Sequence, residues 1–270
     1  MGKYSITQID FVSLRGQSNA GGQGDVSDDL PVGYQGAQTG VNIYYKTTRT
    51  STDDGAWAAL TPGTNNHGDP AVAGNDFFGV ESKLFKDLKD SNSWNPYVSK
   101  SSIGGTSIVD HLTAAAAGIV SNDYYDEVAL SKLVKDGFPR LKYVLFIQGY
   151  SDCTSLAASQ TYDNSLYIDA VSWMNDMRTQ FSTLFKSIPK DDVKLVVVES
   201  PDYVDGATNP TYVDNVQAAQ LAFASAVKRN NYSIAKPSVV TFNGGVTGIH
   251  WDGESLIRYS DLIYAVVKDF

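Results

Sequence analysis

Residues 9–22 read IDFVSLRGQSNAGG, and the fold prediction starts from this stretch. Its first half is a short apolar run, which predicts a buried strand that ends at Gly16. Its second half places Ser18 at a turn between that strand and a helix. At such a turn a serine hydroxyl is exposed, and nearby backbone N–H groups can receive an anion. A serine in this position is most often a helix cap, so a catalytic role needs support from the rest of the chain.

The remaining sequence alternates short apolar runs with amphipathic stretches. Further strands are predicted at 41–45, 97–100, 141–147, 193–198 and 239–242. Helices are predicted at 76–88, 167–185, 212–230 and 255–268. Apolar strands that alternate with helices indicate a parallel sheet covered on both faces. We therefore predict one α/β domain over residues 1–270, with long loops around 21–75.

Composition limits the classes of function. The chain has 270 residues, 42% of them hydrophobic, which is enough for a sizeable core without disulfides. Its single cysteine, Cys153, excludes an internal disulfide and a cysteine metal cluster, and is interpreted as buried filler. A net charge of −9, with only 21 Lys and Arg and no basic run, argues against nucleic acid as a partner.

Location is predicted from weaker signals. The N-terminal segment lacks the apolar core and cleavage site of a signal peptide. No apolar run approaches the length of a membrane span. The many Gly, Ser, Thr, Asn and Tyr residues favour an extracellular or virion-associated protein, such as a phage tail enzyme, over a cytoplasmic one.

Three more segments follow predicted strands or precede the last helix. SIGGTS at 102–107 contains two glycines, which let the backbone approach a ligand closely. FIQGYSD at 146–152 places an amide side chain at the end of a strand, and GIHWD at 248–252 places a histidine before the last helix. Sites in parallel sheets lie at the carboxyl ends of the strands. Phosphate binding by GGQG at 21–24 is rejected, because the Walker spacing and its lysine are absent.

Together these segments resemble the SGNH hydrolases, and within them the sialate O-acetylesterase-like group that includes carbohydrate esterase family six. That group reads Gly-Gln-Ser-Asn, Gly-Gly-Thr-Ser, Gln-Gly-Glu-Ser-Asp and Asp-Gly-Ile-His, in this order. The matching segments here are GQSN at 16–19, GGTS at 104–107, QGYSD at 148–152 and TGIH at 247–250. A weaker match is FGVE at 78–81, where the group has Phe-Gly-Pro-Glu. Four ordered blocks that span the chain are specific, whereas each one alone is not.

The resemblance implies a flavodoxin-like three-layer α/β/α sandwich with a parallel central sheet. It also implies a serine esterase that removes O-acetyl groups from a carbohydrate, with no metal or cofactor. Ser18 would be the nucleophile and His250 its general base. The oxyanion hole would consist of the Ser18 and Gly105 backbone N–H groups and the Gln148 side-chain amide.

Two positions depart from the group's pattern. Thr247 stands where the group has the Asp that orients the histidine, and Tyr150 stands where it has Glu. Thr247 is a candidate orienter through its hydroxyl, as part of a Ser-His pair. A carboxylate from another loop is the alternative, and the candidates are Asp205, Asp252 and Glu254, with Asp252 better read as a helix cap.

Candidate substrate contacts are Gln17, Tyr150 and His111, whereas His67 is interpreted as a surface-loop residue. The alternative interpretation of Tyr150 and Trp251 is that their rings pack against other residues of the protein. Two other functions stay open: a catalytically weak or inactive carbohydrate-binding module on the same fold, and a short-chain lipase or thioesterase. Retention of both nucleophile and base favours catalysis, because a binding module needs neither.

Overall fold

A seven-stranded sheet forms the centre of the computed structural model, which describes residues 8–45, 55–66, 76–113, 122–133, 138–164, 192–203, 206–226, 230–243, 245 and 248–270. The strands of this sheet are β1 (Gln8–Gly16), β3 (Gln38–Tyr45), β4 (Ala56–Leu60), β6 (Pro96–Ser102), β7 (Phe138–Ile147), β8 (Leu195–Val198) and β9 (Asn231–Ile234). Two short strands, β2 (Gly24–Asp25) and β5 (Phe77–Phe78), form a separate antiparallel pair.

The strand order in the main sheet is β4-β3-β6-β1-β7-β8-β9. Every neighbouring pair from β3 to β9 is parallel, and only β4 runs antiparallel, against β3 at the edge. The five strands from β6 to β9 follow the flavodoxin order, and the chain adds β3 and β4 beside them.

The described helices are α1 (Ser18–Gly21), α2 (Glu81–Asn92), α3 (Ile108–Thr113), α4 (Asn122–Ser131), α5 (Leu156–Asn164), α6 (Pro210–Ala226) and α7 (Gly253–Val267), with 3-10 turns at Val32–Tyr34 and Tyr150–Thr154. α2 and α7 bury apolar residues against one face of the sheet. Helices α3 to α6 lie over the other face. The side chains of β7 alternate between the two cores: Tyr143 and Leu145 join the first, and Val144 and Phe146 the second. The predicted three-layer α/β/α sandwich is therefore confirmed.

Two strand predictions need correction. The segment 239–242 is not a strand, since only Phe242 makes a single bridge, to Trp251. The last strand is β9, Asn231–Ile234, at the end of the helix predicted over 212–230. β9 was not predicted because Asn231 and Ser233 interrupt its apolar residues. An edge strand does not need a continuous apolar run. β4 also lies within the segment predicted as loops around 21–75.

Other boundaries shift by a few residues. The helix predicted at 76–88 is α2 and begins at Glu81, because Phe77 and Phe78 pair with β2. The helices predicted at 212–230 and 255–268 are α6 and α7. The helix predicted at 167–185 lies outside the described residues. No helix in the described part of the chain is long and apolar enough to cross a membrane.

Gly16 at the end of β1 allows the chain to pass close to β7. Its φ is +147°, a conformation that side chains disfavour, and a Cβ there would lie 1.8 Å from the Ile147 carbonyl oxygen. Because the Cβ would be bonded directly to the β1 backbone and the oxygen belongs to the β7 backbone, neither can move away without displacing a central strand.

We expect Gly16→Ala to lower the free energy of unfolding by about 3 kcal/mol or more, from backbone strain and overlap. The matched control is Gly33→Ala, because a Cβ at Gly33 meets no atom of the described residues within 4 Å. That control should change stability by no more than about 0.5 kcal/mol. Urea unfolding of both variants measures the difference, and equal stabilities would contradict the account.

Candidate active site

The three central strands end side by side. In the sheet register Gly16 lies opposite Ser102 on β6 and Ile147 on β7. Beyond these residues the Gln17 N–H donates to the Ile147 carbonyl at 3.1 Å, and the Ile103 N–H donates to the Gly16 carbonyl at 2.9 Å. The first three sequence blocks therefore meet at the carboxyl edge of the sheet, where the strand order reverses and where ligands bind in such folds.

Ser18 and His250 lie in direct contact at this edge. The Ser18 Oγ and His250 Nε2 atoms are 3.0 Å apart, which is a hydrogen bond between residues 232 positions apart in sequence. Both residues are half-buried. Burial lowers the pKa of His250, so the imidazole is neutral at pH 7 and able to accept a proton.

Two stretches of backbone lie at the Ser18 side chain. Ser18 is the first residue of α1, so its N–H has no acceptor within the helix. The GGTS loop packs against it: a Cβ built on Gly104 would lie 3.9 Å from Ser18 Cβ. Gly105 has a φ of +75°, is exposed, and has open space where a side chain would be. The loop thus brings a stretch of backbone without side chains to Ser18.

Gln148 follows β7, as predicted, but its amide nitrogen already has two acceptors. Nε2 donates to the Asp152 carboxylate at 2.5 Å and to the Thr106 carbonyl at 3.1 Å. The residue is 2% exposed, and its Oε1 has no hydrogen-bond partner among the described residues. An amide with both protons engaged is free to contact another acceptor only by exchanging one of these bonds, and the longer bond to Thr106 is the weaker one.

Asp152 is a buried carboxylate beside the site. It is 1% exposed, and it accepts from Gln148 and from the Ile108 N–H at the start of α3. Burial raises the pKa of Asp152 to about 7, and the nearby Asp110 adds to the rise, whereas the hydrogen bonds from Gln148 and Ile108 oppose it. Asp152 therefore changes charge near neutral pH, close to Gln148.

The backbone of Gln148 is held from behind. Its carbonyl accepts from Gln220 Nε2 of α6 at 2.7 Å and from the Tyr162 hydroxyl at 3.4 Å. Gly149 has a φ of +151°, and a Cβ there would lie 2.4 Å from Ser200 Oγ. These contacts fix the direction in which the chain leaves β7.

A buried ion pair lies next to the helix that carries Ser18. Lys100 Nζ on β6 lies 2.8 Å from Glu81 Oε2, with both side chains almost fully buried. The same ammonium donates to the carbonyls of Gly21 at 2.7 Å and Asn66 at 2.6 Å. Since Gly21 ends α1, this pair ties the helix that carries Ser18 to the sheet and to α2.

The candidate orienters of His250 differ in what the structure places near them. Asp252 caps α7, because its Oδ1 accepts from the Ser255 N–H at 2.9 Å, as its sequence position suggests. Glu254 pairs with Arg258 on the exposed side of the same helix. Thr247 and Asp205 lie outside the described residues. Within the described part of the chain, the only side-chain hydrogen bond of His250 is the one to Ser18.

The three candidate substrate contacts have different environments. Gln17 is 1% exposed, and its Oε1 accepts from the Ser151 N–H and hydroxyl, so its side chain braces the loop after β7. His111 lies edge-on to Phe146, and its Nε2 lies 2.9 Å from Thr106 Oγ1. Burial lowers the pKa of His111 to about 4, with a smaller contribution from the Arg15 charge.

Tyr150 is half-buried and packs edge-on against Tyr203, with ring centroids 4.9 Å apart. Tyr203 in turn contacts Phe242. The aromatic group Tyr150–Tyr203–Phe242 leaves part of Tyr150 exposed. His67 lies outside the described residues, and Cys153 is fully buried, as expected of filler.

Two residues of the site were not singled out from the sequence. Asn19, which follows Ser18, contacts the segment that carries His250. Asp152, which ends the third block, contacts Gln148. Each lies inside a quoted motif, so the signal was present, but only the folded chain identifies the partner. Within the described ranges, no group of three or more His, Cys, Asp or Glu side chains is arranged to hold a metal ion.

No family model matches the chain, and no curated protein matches it. Several solved structures do match. A protein from Arabidopsis thaliana superimposes with a TM-score of 0.67 at 15% identity, covering 98% of both chains. The structure named NanS gives a TM-score of 0.63 at 11% identity, also covering 98% of both chains.

A carbohydrate acetylesterase from Xanthomonas citri gives a TM-score of 0.60 at 16% identity over 97% of this chain. The chain spans 57% of the length of that protein. At these identities the likeness is one of fold, and it extends over nearly the whole chain. The chain shares the α/β/α fold of these solved structures.

Proposed function

We propose that this protein is a serine esterase that removes O-acetyl groups from a carbohydrate. The observation that carries the proposal is the 3.0 Å contact between Ser18 Oγ and His250 Nε2 at the carboxyl edge of a parallel sheet. A hydroxyl hydrogen-bonded to a neutral imidazole is the arrangement that nucleophilic acyl transfer requires.

The proposed reaction has two halves. Ser18 Oγ attacks the acetyl carbonyl carbon while His250 Nε2 takes the serine proton. The tetrahedral intermediate then expels the sugar oxygen, which receives that proton from His250. Water repeats the sequence on the acetyl-serine ester and releases acetate, which restores the free serine. The lowered pKa of His250 suits the first step, because the neutral base is the active form.

The oxyanion would be held by the backbone N–H groups of Ser18 and Gly105 and by the Gln148 amide. The first two come from the start of α1 and from the open GGTS loop. Gln148 would contribute by turning the N–H that now reaches Thr106, while the shorter bond to Asp152 keeps the amide nitrogen at the site. Each such donor is typically worth about 3 kcal/mol of barrier.

The substrate class rests on two supports. The four sequence blocks resemble those of the sialate O-acetylesterase-like group. Two matching folds at TM-scores above 0.5 belong to proteins described as carbohydrate acetylesterases, from Xanthomonas citri and Sinorhizobium meliloti. An ester panel would separate a carbohydrate acetylesterase from a lipase or thioesterase, since the latter prefer longer acyl chains.

Ser18→Ala should abolish hydrolysis of p-nitrophenyl acetate and of acetylated polysaccharides while leaving the thermal unfolding curve unchanged. The matched control is Ser131→Ala on α4, a helix that does not carry the site. Ser131 is exposed, and its hydroxyl donates to the Val128 carbonyl of the same helix. The control should retain full activity. A Ser18→Ala variant that kept more than a few per cent of the wild-type kcat would exclude Ser18 as the nucleophile. Glycan binding without any wild-type hydrolysis would indicate the binding-module alternative.

Gln148→Ala should lower kcat on the order of a hundredfold with little change in KM, because one oxyanion donor is lost. Steady-state kinetics on p-nitrophenyl acetate measure the effect, with thermal unfolding as the check on folding. An increase in KM at constant kcat would instead identify Gln148 as a residue that binds substrate in the ground state.

Asp152→Asn should remove a pH dependence of stability. The folded pKa of Asp152, about 7, lies above the ordinary value of 3.8, so the folded state holds the proton more tightly. Stability from this group is therefore lost as pH rises from about 4 through about 7. We expect the melting temperature of Asp152→Asn, relative to wild type, to increase between about pH 5 and about pH 8. A difference that stays constant with pH would mean that Asp152 titrates normally.

Thr247→Asp should raise kcat and raise the apparent pKa of His250, because a nearby negative charge favours the imidazolium. The pH profile of kcat/KM for both proteins measures this, and the wild-type acid limb should lie below the ordinary histidine value of 6.5. Since Asp252 and Glu254 have other partners, Asp205 is the remaining carboxylate to test. If Thr247→Asp leaves kcat unchanged and Asp205→Asn strongly lowers it, Asp205 is the residue that orients His250.

A further inference from the structure

The backbone on both sides of His250 is held by one side chain, that of Asn19. The Asn19 Nδ2 donates to the Ile249 carbonyl at 3.3 Å, and the Trp251 N–H donates to Asn19 Oδ1 at 3.0 Å. Nδ2 also donates to the Tyr203 hydroxyl at 3.2 Å. Asn19 is 3% exposed, so these bonds form away from competing water.

The position of Asn19 in the chain makes these bonds significant. Asn19 follows Ser18 directly on α1. One turn of helix therefore holds both Ser18 and the residue that contacts the segment around His250. That turn is itself fixed, because the Gln17 N–H bonds Ile147 and the Gly21 carbonyl accepts from Lys100. Asn19 therefore links the turn that carries Ser18 directly to the segment that carries His250.

An amide suits this task because the two backbone groups differ. The Ile249 carbonyl needs a donor and the Trp251 N–H needs an acceptor, and a single amide side chain offers both. Trp251 adds a second anchor, since its ring stacks on Tyr259 of α7 at 3.9 Å with an interplanar angle of 10°. The Asn243 N–H holds the His250 carbonyl from the other side at 2.9 Å.

We propose that Asn19 is a positioning residue that holds His250 against Ser18 through the backbone of Ile249 and Trp251. The expected loss of activity rests on the proposed function, whereas the expected effect on the position of His250 does not. In this proposal His250 is held through the main chain of its two neighbours and not through its own side chain. Such a constraint matters more in this chain because Thr247 stands where the related group has an orienting Asp.

The test combines kinetics with NMR titration of the histidines. Asn19→Ala should lower kcat about ten- to a hundredfold with KM within about twofold, because loss of alignment acts on the chemical step. The pKa of His250, which burial lowers, should rise toward 6.5 as the released segment admits water. The chain has three histidines, and a His250→Asn variant assigns the signal. The matched control is Asn92→Ala, whose amide joins the ends of α2 and α7; it should change neither readout.

Asn19→Asp covers the case in which the alanine variant does not fold. It keeps the acceptor for Trp251 but turns an oxygen toward the Ile249 carbonyl, so kcat should again fall at least about tenfold and the His250 pKa should rise. Unchanged kcat and an unchanged His250 pKa in a folded Asn19 variant would overturn the proposal. If wild type hydrolyses no acetyl ester, the proposed function fails, and the His250 titration still decides the role of Asn19.

Discussion

The end of β1 is the constraint on which the site depends. There Gly16 approaches Ile147 so closely that no side chain fits, and the chain bonds both neighbouring strands as it leaves the sheet. This approach allows β1, β6 and β7 to finish side by side, so three separate sequence blocks reach one edge. Ser18 starts the next helix two residues later, which puts its hydroxyl and its N–H at the same place.

Several polar and charged side chains around this edge are almost fully buried. Lys100 and Glu81 form an ion pair beneath α1, and Asp152 lies beside Gln148 with burial raising its pKa. A buried ion pair adds little net stability, but it fixes the groups that it contacts. We interpret these residues as a rigid support that keeps the nucleophile turn and the amide in place at some cost in stability.

The sequence predicted the layers of the fold and the edge where the site lies. Strands such as 141–147 can be predicted because they are continuous apolar runs. The sequence blocks that follow such strands lie at one edge of the sheet, because the carboxyl ends of parallel strands meet there. β9 escaped prediction because its polar residues look like a loop, and 239–242 was wrong because an apolar run after Pro237 makes only one bridge.

The site also has residues that could be predicted from the sequence and contacts that could not. Ser18 and His250 were predicted from motifs, and the structure brings them within hydrogen-bond distance. The contacts of Gln148 with Thr106, of Gln17 with Ser151 and of Asn19 with Trp251 were not predictable, because each joins segments distant in sequence. Motifs identify residues that chemistry needs, whereas the hydrogen bonds that aim them depend on packing that a linear pattern does not contain.

The central claim is that Ser18 is a nucleophile made reactive by His250. It is tested most directly by treating the protein with a small fluorophosphonate and mapping the modified residue by peptide mass spectrometry. This reagent bonds an activated serine without the need to know the natural glycan. The account predicts a single label on Ser18 whose formation is strongly slowed in His250→Asn. A label on a different residue, or equal labelling of Ser18 with and without His250, would contradict it.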